Sequence, residues 1–231
     1  MIIYSNSCSY GATSNGPVYS EFVAKHFDAQ LINHGLPGCC NERIFRTSVR
    51  DILKIVNDNN PNDVVVLIGL TNTFRGEHWG STPAKHADGH FQSFTSSTQA
   101  GFAKNFQQEF YKLYDQEAAI TNLLSHLVMF VSFLKTVNVK YLIWTNTPNL
   151  TSIDVTMDFV EPFYKHINKD KNILPLFDFN FCNYAQSAGH QTIDKPYDQG
   201  GHPDTNAHEY FSKFLISSLK PHRLDTSSSE H

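Results

Sequence analysis

Cysteine is scarce in this 231-residue chain, and the four that occur are poorly spaced for cross-linking or metal binding. They are Cys8, Cys39, Cys40 and Cys182, and no two of them form a Cys-x-x-Cys pair. The sequence therefore predicts neither a disulfide framework nor a cysteine-based zinc site. Because disulfides are not expected, a reducing compartment such as the cytoplasm is the simplest interpretation.

Positive charge and long apolar runs are also lacking. The 18 Lys and Arg are outnumbered by 22 Asp and Glu, whereas nucleic acids and anionic membranes attract strongly basic surfaces. The most apolar segment, 123–134, is interrupted by Ser125, His126 and Ser132, so we expect no membrane-spanning run of about 20 apolar residues. Residues 1–4 lack the basic and apolar parts of a signal peptide. We expect no nucleic-acid partner and no membrane partner.

What the sequence does contain is an alternation of short apolar runs with longer helical patterns, which is typical of a parallel sheet covered by helices on both faces. We therefore expect a three-layer α/β/α sandwich with a five-stranded parallel sheet, flavodoxin-like in strand order. The predicted strands are Met1–Asn6, Gln30–Asn33, Asp63–Gly69, Lys140–Thr145 and Ile173–Phe177. The predicted helices are Val18–Phe27, Glu42–Asn57, Gln116–Val137, Ile153–Asn168 and Ala207–Leu219.

The chain length fits one α/β domain. We place this domain at residues 1–222 and a tail at 223–231. Residues 73–115 form a long polar and aromatic insertion, and a connection of that length inside a domain is commonly functional, so it is a candidate lid. A second loop-like region, 180–205, is rich in Gly, His and Asp.

Polar residues follow the predicted strands at the edge where open parallel sheets bind ligands. Ser9 follows the first strand, Gly38 lies in the loop after the second, and Asn72 follows the third. Asp198 and His202 lie in the last loop. A hydroxyl, backbone and amide donors and an Asp/His pair are the groups that acyl transfer requires, because the hydroxyl needs a base and the oxyanion needs donors.

The same positions resemble the ordered sequence blocks of the SGNH/GDSL hydrolases. Ser7-Cys8-Ser9-Tyr10, at the end of the N-terminal strand, resembles the first block in its Gly-Cys-Ser-Phe/Tyr variant. Gly38 resembles the second-block glycine, Asn72 the third-block asparagine, and His202-Pro203 the fifth block. The four resemblances occur in family order and span nearly the whole chain.

This resemblance implies an SGNH-type serine hydrolase that needs no cofactor and no metal. Ser9 would attack the carbonyl, His202 would take its proton and Asp198 would orient the imidazole. The N–H groups of Ser9 and Gly38 and the amide of Asn72 would hold the oxyanion. The expected reaction is hydrolysis of an ester, such as an acetyl group on a carbohydrate or a small lipid-like ester. The alternative is a non-catalytic SGNH-like binding or structural module of a larger assembly.

Two departures from the family pattern leave the nucleophile and the third block open. Ser7 and Cys8 stand where the first block usually has Gly and Asp, and either could supply the nucleophile in place of Ser9. The third block reads Gly-Leu-Thr-Asn, one residue longer than Gly-x-Asn, so the side chain of Asn72 could point elsewhere.

The partner of His202 is open as well. Asp198 precedes His202 by four residues where the family has three, so Asp194 or Asp204 could orient the ring, or the site could be a dyad. A metal hypothesis would use His202, Asp204 and His208 as ligands, but it lacks a further ligand at recognisable spacing. We favour a buried histidine at a helix start for His208.

Arg75 and Glu77 lie just after the third strand, where a substrate carboxylate or a sugar hydroxyl could contact them. They could equally form an internal ion pair that holds the insertion in place. The sequence does not separate these two interpretations.

Overall fold

The structure is a computed structural model that describes residues 1–13, 16–79, 91–94, 108–147, 154–197 and 201–219. Its strands are β1 (Ile2–Ser7), β2 (Gln30–Asn33), β3 (Val64–Leu70), β4 (Gly76–Trp79), β5 (Phe91–Phe94) and β6 (Lys140–Thr145). Its helices are α1 (Tyr19–His26), α2 (Asn41–Asp58), α3 (Gln116–Thr136), α4 (Glu161–Ile167), α5 (Phe181–Ser187) and α6 (Thr205–Leu219).

Four strands form a parallel sheet in the order β2-β1-β3-β6, which is the flavodoxin-like order predicted from the sequence. β1 pairs in register with both neighbours, Ile2 opposite Gln30 and Val64. Its six residues are all buried, as expected for a central strand covered on both faces. The end of β1 therefore lies in the middle of the edge at which α/β folds bind ligands.

Successive side chains of β1 point to opposite faces of the sheet and so contact different helices. Tyr4 and Asn6 contact α2, where their side chains hydrogen-bond Ser48. On the other face, Tyr19 of α1 packs edge-on against Trp144 of β6. Because α3 packs against α2 and α6 packs against α1, the domain has the predicted three layers.

The fifth predicted strand is the main difference in the sheet. Within 173–177 the structure has an isolated parallel bridge, Ile143 to Ile173, in place of a strand; its two bonds are Ile143 N–H to the Asn172 carbonyl and Leu174 N–H to the Ile143 carbonyl. Pro175 has no N–H to donate to a ladder, and Phe179 N–H bonds back to the Pro175 carbonyl as a turn. The edge beside β6 is consequently irregular.

Some helices also differ from the predictions. The predicted helix at 153–168 is helical only as α4, with Pro162 in its first turn, where a missing N–H is tolerated. The region 180–205 contains the unpredicted helix α5, which Asn180 caps by accepting a hydrogen bond from Asn183 N–H. In the insertion, β4 and β5 form an unpredicted antiparallel hairpin. Most of 80–107 lies outside the described residues, so the lid stays a prediction.

One described helix, α3, is long and apolar enough to cross a membrane. Part of it packs in the core of this domain, and the buried residues are Ile120, Leu123, Leu124, Leu127, Phe130, Val131 and Leu134.

Candidate active site

The nucleophile loop leaves the sheet at the end of β1. Ser9 begins a single 3-10 turn, Ser9–Gly11, and its side chain is half-buried. Gly35, in the loop after β2, packs so closely on this turn that a Cβ at its position would lie 2.5 Å from the Gly11 carbonyl oxygen. Asn33 strengthens the contact, since its side chain donates to the same carbonyl at 2.8 Å. The turn carrying Ser9 is thus held against β2.

The two alternative nucleophiles, Ser7 and Cys8, lie deeper in the protein than Ser9. Ser7 and Cys8 are both fully buried. The Ser7 hydroxyl accepts a 2.8 Å hydrogen bond from the Asn146 amide, so it is part of the internal packing between β1 and the end of β6. Of the three side chains, the structure brings only Ser9 to His202.

The contact between Ser9 and His202 has hydrogen-bond geometry, with Ser9 Oγ 2.9 Å from His202 Nε2. On the other side of the ring, Nδ1 lies 2.7 Å from Asp194 Oδ2. An ionised carboxylate only accepts hydrogen bonds, so Nδ1 is the nitrogen that carries the proton. Nε2 is then left with its lone pair toward the Ser9 hydroxyl, as a general base requires.

The carboxylate beside His202 is therefore Asp194, one of the two alternatives to Asp198. Asp198 itself lies outside the described residues. The other alternative, Asp204, is engaged elsewhere, because its side chain accepts the Ala207 N–H at 2.7 Å and caps α6.

Short antiparallel pairing explains how Asp194 reaches a histidine eight positions later. Residues 191–194 run beside 202–204, with Ile193 N–H donating to the His202 carbonyl and Asp204 N–H donating to the Gln191 carbonyl. The Asp194 side chain adds a second bond by accepting the His202 backbone N–H at 2.8 Å. Both the ring and the peptide of His202 are thus fixed to one carboxylate.

Asp194 remains ionised over the working range of most enzymes. Its partial burial acts to raise the pKa, but the backbone N–H and the ring of His202, with the Lys195 N–H, outweigh this and lower the pKa to about 2. A carboxylate that stays charged favours the imidazolium that forms when the serine proton is taken up.

Tyr10 is a site residue that the sequence analysis did not identify. Its ring lies 5.2 Å from the His202 ring, and its hydroxyl donates to the Gly201 carbonyl at 3.2 Å. Burial raises the pKa of Tyr10, so the phenol stays neutral. It therefore supports the imidazole by packing, and nothing in the sequence beyond its proximity to Ser9 signals that contact.

The predicted oxyanion donors come from the loops on either side of β1. Gly38 has φ of 76°, a left-handed conformation that favours glycine. Among the described residues, its N–H makes no hydrogen bond to the protein. Asn72 is half-buried, and its side-chain oxygen has no partner within the part of the chain that the structure describes. The oxyanion roles of these residues and of the Ser9 N–H stay predictions.

Arg75 and Glu77 have different partners in the structure. Glu77 forms a two-point ion pair with Arg46 of α2, at 3.1 and 2.9 Å, so the carboxylate has an internal partner but not the predicted one. The pair anchors β4 to α2 but does not involve Arg75. Arg75 donates instead to the Cys39 carbonyl at 3.3 Å, across the end of β1.

His208 lies in the core, packed against Tyr19 and Phe181. Burial, with a further contribution from His202, lowers its pKa to about 3 and keeps the ring neutral. The described residues contain no group of three or more His, Cys, Asp or Glu side chains suited to hold a metal ion.

Comparison with known proteins identifies the fold. No family model matches the chain, and no curated protein matches it. Among solved structures, it is similar to a G-D-S-L family lipolytic protein from Desulfitobacterium hafniense, with TM-score 0.51, 11% identity, and coverage of 94% of this chain and 99% of that one. The alignment with a Bacillus subtilis protein has a TM-score of 0.50 at 13% identity and covers 96% of this chain and 57% of that one. The alignment with an acetyl xylan esterase has a TM-score of 0.49 at 12% identity and covers 95% of this chain and 100% of that one. The chain has the SGNH hydrolase-like fold.

Proposed function

We propose, from an SGNH hydrolase-like fold with Ser9 against His202, that this protein is a serine hydrolase acting on carboxylic esters. The observation that carries the proposal is the continuous chain Ser9 Oγ–His202 Nε2 and His202 Nδ1–Asp194 Oδ2, at 2.9 and 2.7 Å. Removing the proton from a serine hydroxyl needs such a base, and the base needs an orienting acceptor.

In the proposed mechanism, Ser9 Oγ attacks the ester carbonyl while His202 Nε2 takes its proton. The resulting imidazolium is stabilised by Asp194, and the oxyanion is held by the N–H groups of Ser9 and Gly38 and the amide of Asn72. His202 then gives the proton to the leaving alcohol. Water then attacks the acyl-enzyme carbonyl while His202 takes its proton; the bond to Ser9 Oγ breaks, His202 returns the proton to Ser9 Oγ, and the carboxylic acid leaves.

We further propose that the acyl group is small, of acetyl size. Beside the Ser9–His202 contact lies a cavity of only about 10 Å³, bordered by Tyr10, Val18 and His208. Such a space holds a group no larger than about a water molecule or a methyl group. Acetate esters of carbohydrates and short lipid-like esters share this feature.

The test is labelling of the wild-type protein by a fluorophosphonate probe, followed by hydrolysis of p-nitrophenyl acetate, butyrate and octanoate. Labelling requires an activated serine, so we expect labelling that maps to Ser9, and kcat/KM that falls as the acyl chain lengthens. A protein that is folded but neither labelled nor active would support the non-catalytic module instead. A protein that is labelled at Ser9 but hydrolyses the three esters with equal kcat/KM would overturn only the proposal about acyl size.

A further inference from the structure

The predicted oxyanion donors belong to two loops, and within the described part of the chain no backbone hydrogen bond joins one loop directly to the other. Gly38 lies after β2 and Asn72 after β3, but β1 lies between these strands in the sheet. Backbone bonds tie each loop to β1, through Leu36 N–H to the Ser7 carbonyl and through the pairing of Ser7 with Gly69, whereas the bonds that join the two loops directly to each other come from side chains. This matters because an oxyanion donor has to lie about 2.7–3.1 Å from the developing charge.

Asn41 bridges the two loops with both ends of its side-chain amide. It is the first residue of α2 and is 5% exposed. Its Oδ1 accepts the Thr71 backbone N–H at 2.9 Å, and its Nδ2 donates to the Thr71 carbonyl at 2.9 Å. The Asn41 amide thus bonds both the N–H and the carbonyl of Thr71, as the backbone of a neighbouring β-strand would. Asn41 lies three positions after Gly38, and Thr71 directly precedes Asn72.

A second bridge runs in the opposite direction. Arg75, from the loop after β3, donates to the carbonyl of Cys39, the residue next to Gly38. The Cys39 thiol in turn contacts the Ser7 carbonyl at 3.4 Å, at the end of β1. The loop after β2 is therefore tied to both of its neighbours, and Asn41 contributes the two shortest of these bonds.

We propose that Asn41 is a positioning residue that sets the width of the oxyanion hole. It acts through Thr71 and touches no reacting atom. Without it, the Gly38 N–H and the Asn72 amide would lose their fixed separation, and a misplacement of about 1 Å can cost roughly 10²-fold in rate. The inference rests on the proposed ester hydrolysis.

The experiment compares Asn41→Ala with Asn180→Ala. Asn180 is also buried, and its side chain also accepts a backbone N–H, but it caps α5 rather than joining the loops after β2 and β3. We expect both variants to lose a few degrees of Tm. Only Asn41→Ala should lower kcat, by about 10²-fold, with KM within about threefold of wild type. Affinity for a boronic acid that forms a tetrahedral adduct on Ser9 should fall in parallel with kcat/KM.

The outcomes separate this inference from the proposed function. An Asn41→Ala protein that loses Tm as Asn180→Ala does but keeps its kcat would show that the amide only stabilises the fold. If Asn41→Ala does not fold, Asn41→Asp keeps the shape and the acceptor for Thr71 N–H while losing the donor. Its expected loss is about tenfold in kcat, and an unchanged kcat would again overturn the inference. A wild type that is neither labelled nor active would instead overturn the proposed function, and this inference with it.

Discussion

The two halves of the candidate catalytic pair are built in opposite ways. Ser9 follows a strand whose every residue is buried, and the two preceding side chains, Ser7 and Cys8, lie at zero exposure. His202 and Asp194 lie near the surface, with 24% and 41% of their side chains exposed. The nucleophile is therefore positioned by the core, whereas the base is positioned by a few hydrogen bonds between two chain segments. On the first side, substitution of the buried side chains that precede Ser9 should lower stability, whereas substitutions of Asp194 and His202 on the second side should lower activity with little effect on stability.

The largest expected effect is that of Ser9→Ala. Removing the nucleophile should lower kcat for p-nitrophenyl acetate by at least ~10⁴-fold, since without Ser9 the other groups have no hydroxyl to activate. Ser9 is half-buried and its side chain contacts His202, so Tm should change little. Steady-state kinetics and a thermal melt measure the two quantities.

Matched variants of the same loop sharpen this prediction. Cys8→Ala and Ser7→Ala alter fully buried side chains, and Ser7→Ala also removes the acceptor of the Asn146 amide. We expect both to lose stability and to keep kcat within about tenfold. An inactive Cys8→Ala beside an active Ser9→Ala would make the thiol the nucleophile.

On the base side, Asp194→Asn should lower kcat/KM by about 10²–10⁴-fold, because an amide can hold His202 in the wrong tautomer. The same loop position contributes little to stability, so Tm should stay within a few degrees of wild type. A larger loss of activity in Asp198→Asn than in Asp194→Asn would favour the family-like spacing over the pairing that the structure shows. The measurement is kcat/KM for both variants at pH 7.

Arg75 donates to the Cys39 carbonyl, next to Gly38, and we expect it also to bind an anionic group on the substrate alcohol. Wild type should prefer the acetate ester of 4-hydroxybenzoate over that of 4-hydroxybenzamide, and Arg75→Gln should reduce this preference about tenfold, which is the loss of one charge-assisted hydrogen bond. Lys54→Gln, an exposed position on α2, removes the same charge as a control. An equal loss on both esters would make Arg75 a loop bridge only.

The smallest expected effect is on the free energy of unfolding, and it differs between the carboxylates of Asp51 and Asp194. Asp51, a buried residue of α2, lies 2.6 Å from His34 Nδ1 and 2.8 Å from Arg50 Nε. Burial acts to raise its pKa, but these two partners outweigh burial and lower it. A folded-state pKa below the unfolded value of ~3.9 adds stability above about pH 4, which is lost as pH falls through the folded pKa.

Asp51→Asn should therefore lower the free energy of unfolding by about 1–3 kcal/mol at pH 6 and by less at pH 3. Because the Asp194–His202 pair is exposed, Asp194→Asn should change the free energy of unfolding by less than about 1 kcal/mol at pH 6. Urea denaturation followed by circular dichroism gives both values. An equal deficit for Asp51→Asn at both pH values would contradict the ionic origin of its contribution.

The sequence predicted the central strands well, whereas it left the carboxylate partner of His202 open among three aspartates. β1, β3 and the placement of Ser9 follow from local apolar patterns, and Val64–Leu70 is buried throughout. The partner of His202 does not follow from any local pattern, because pairing between two loop segments decides it. The Arg46–Glu77 pair and the Asn41 bridge are likewise contacts between distant residues, so spacing along the chain carries no signal for them.

The pairing of 191–194 with 202–204 also determines which changes of length the connection between Asp194 and His202 can tolerate. The Asp–His contact is set where the two segments run side by side, so the number of residues that connect them is free to change. Chains related to this one could lengthen or shorten the connection between Asp194 and His202 while the carboxylate stays on the ring. The chemistry then requires that the two segments pair, and it does not require one fixed number of residues between the carboxylate and the ring.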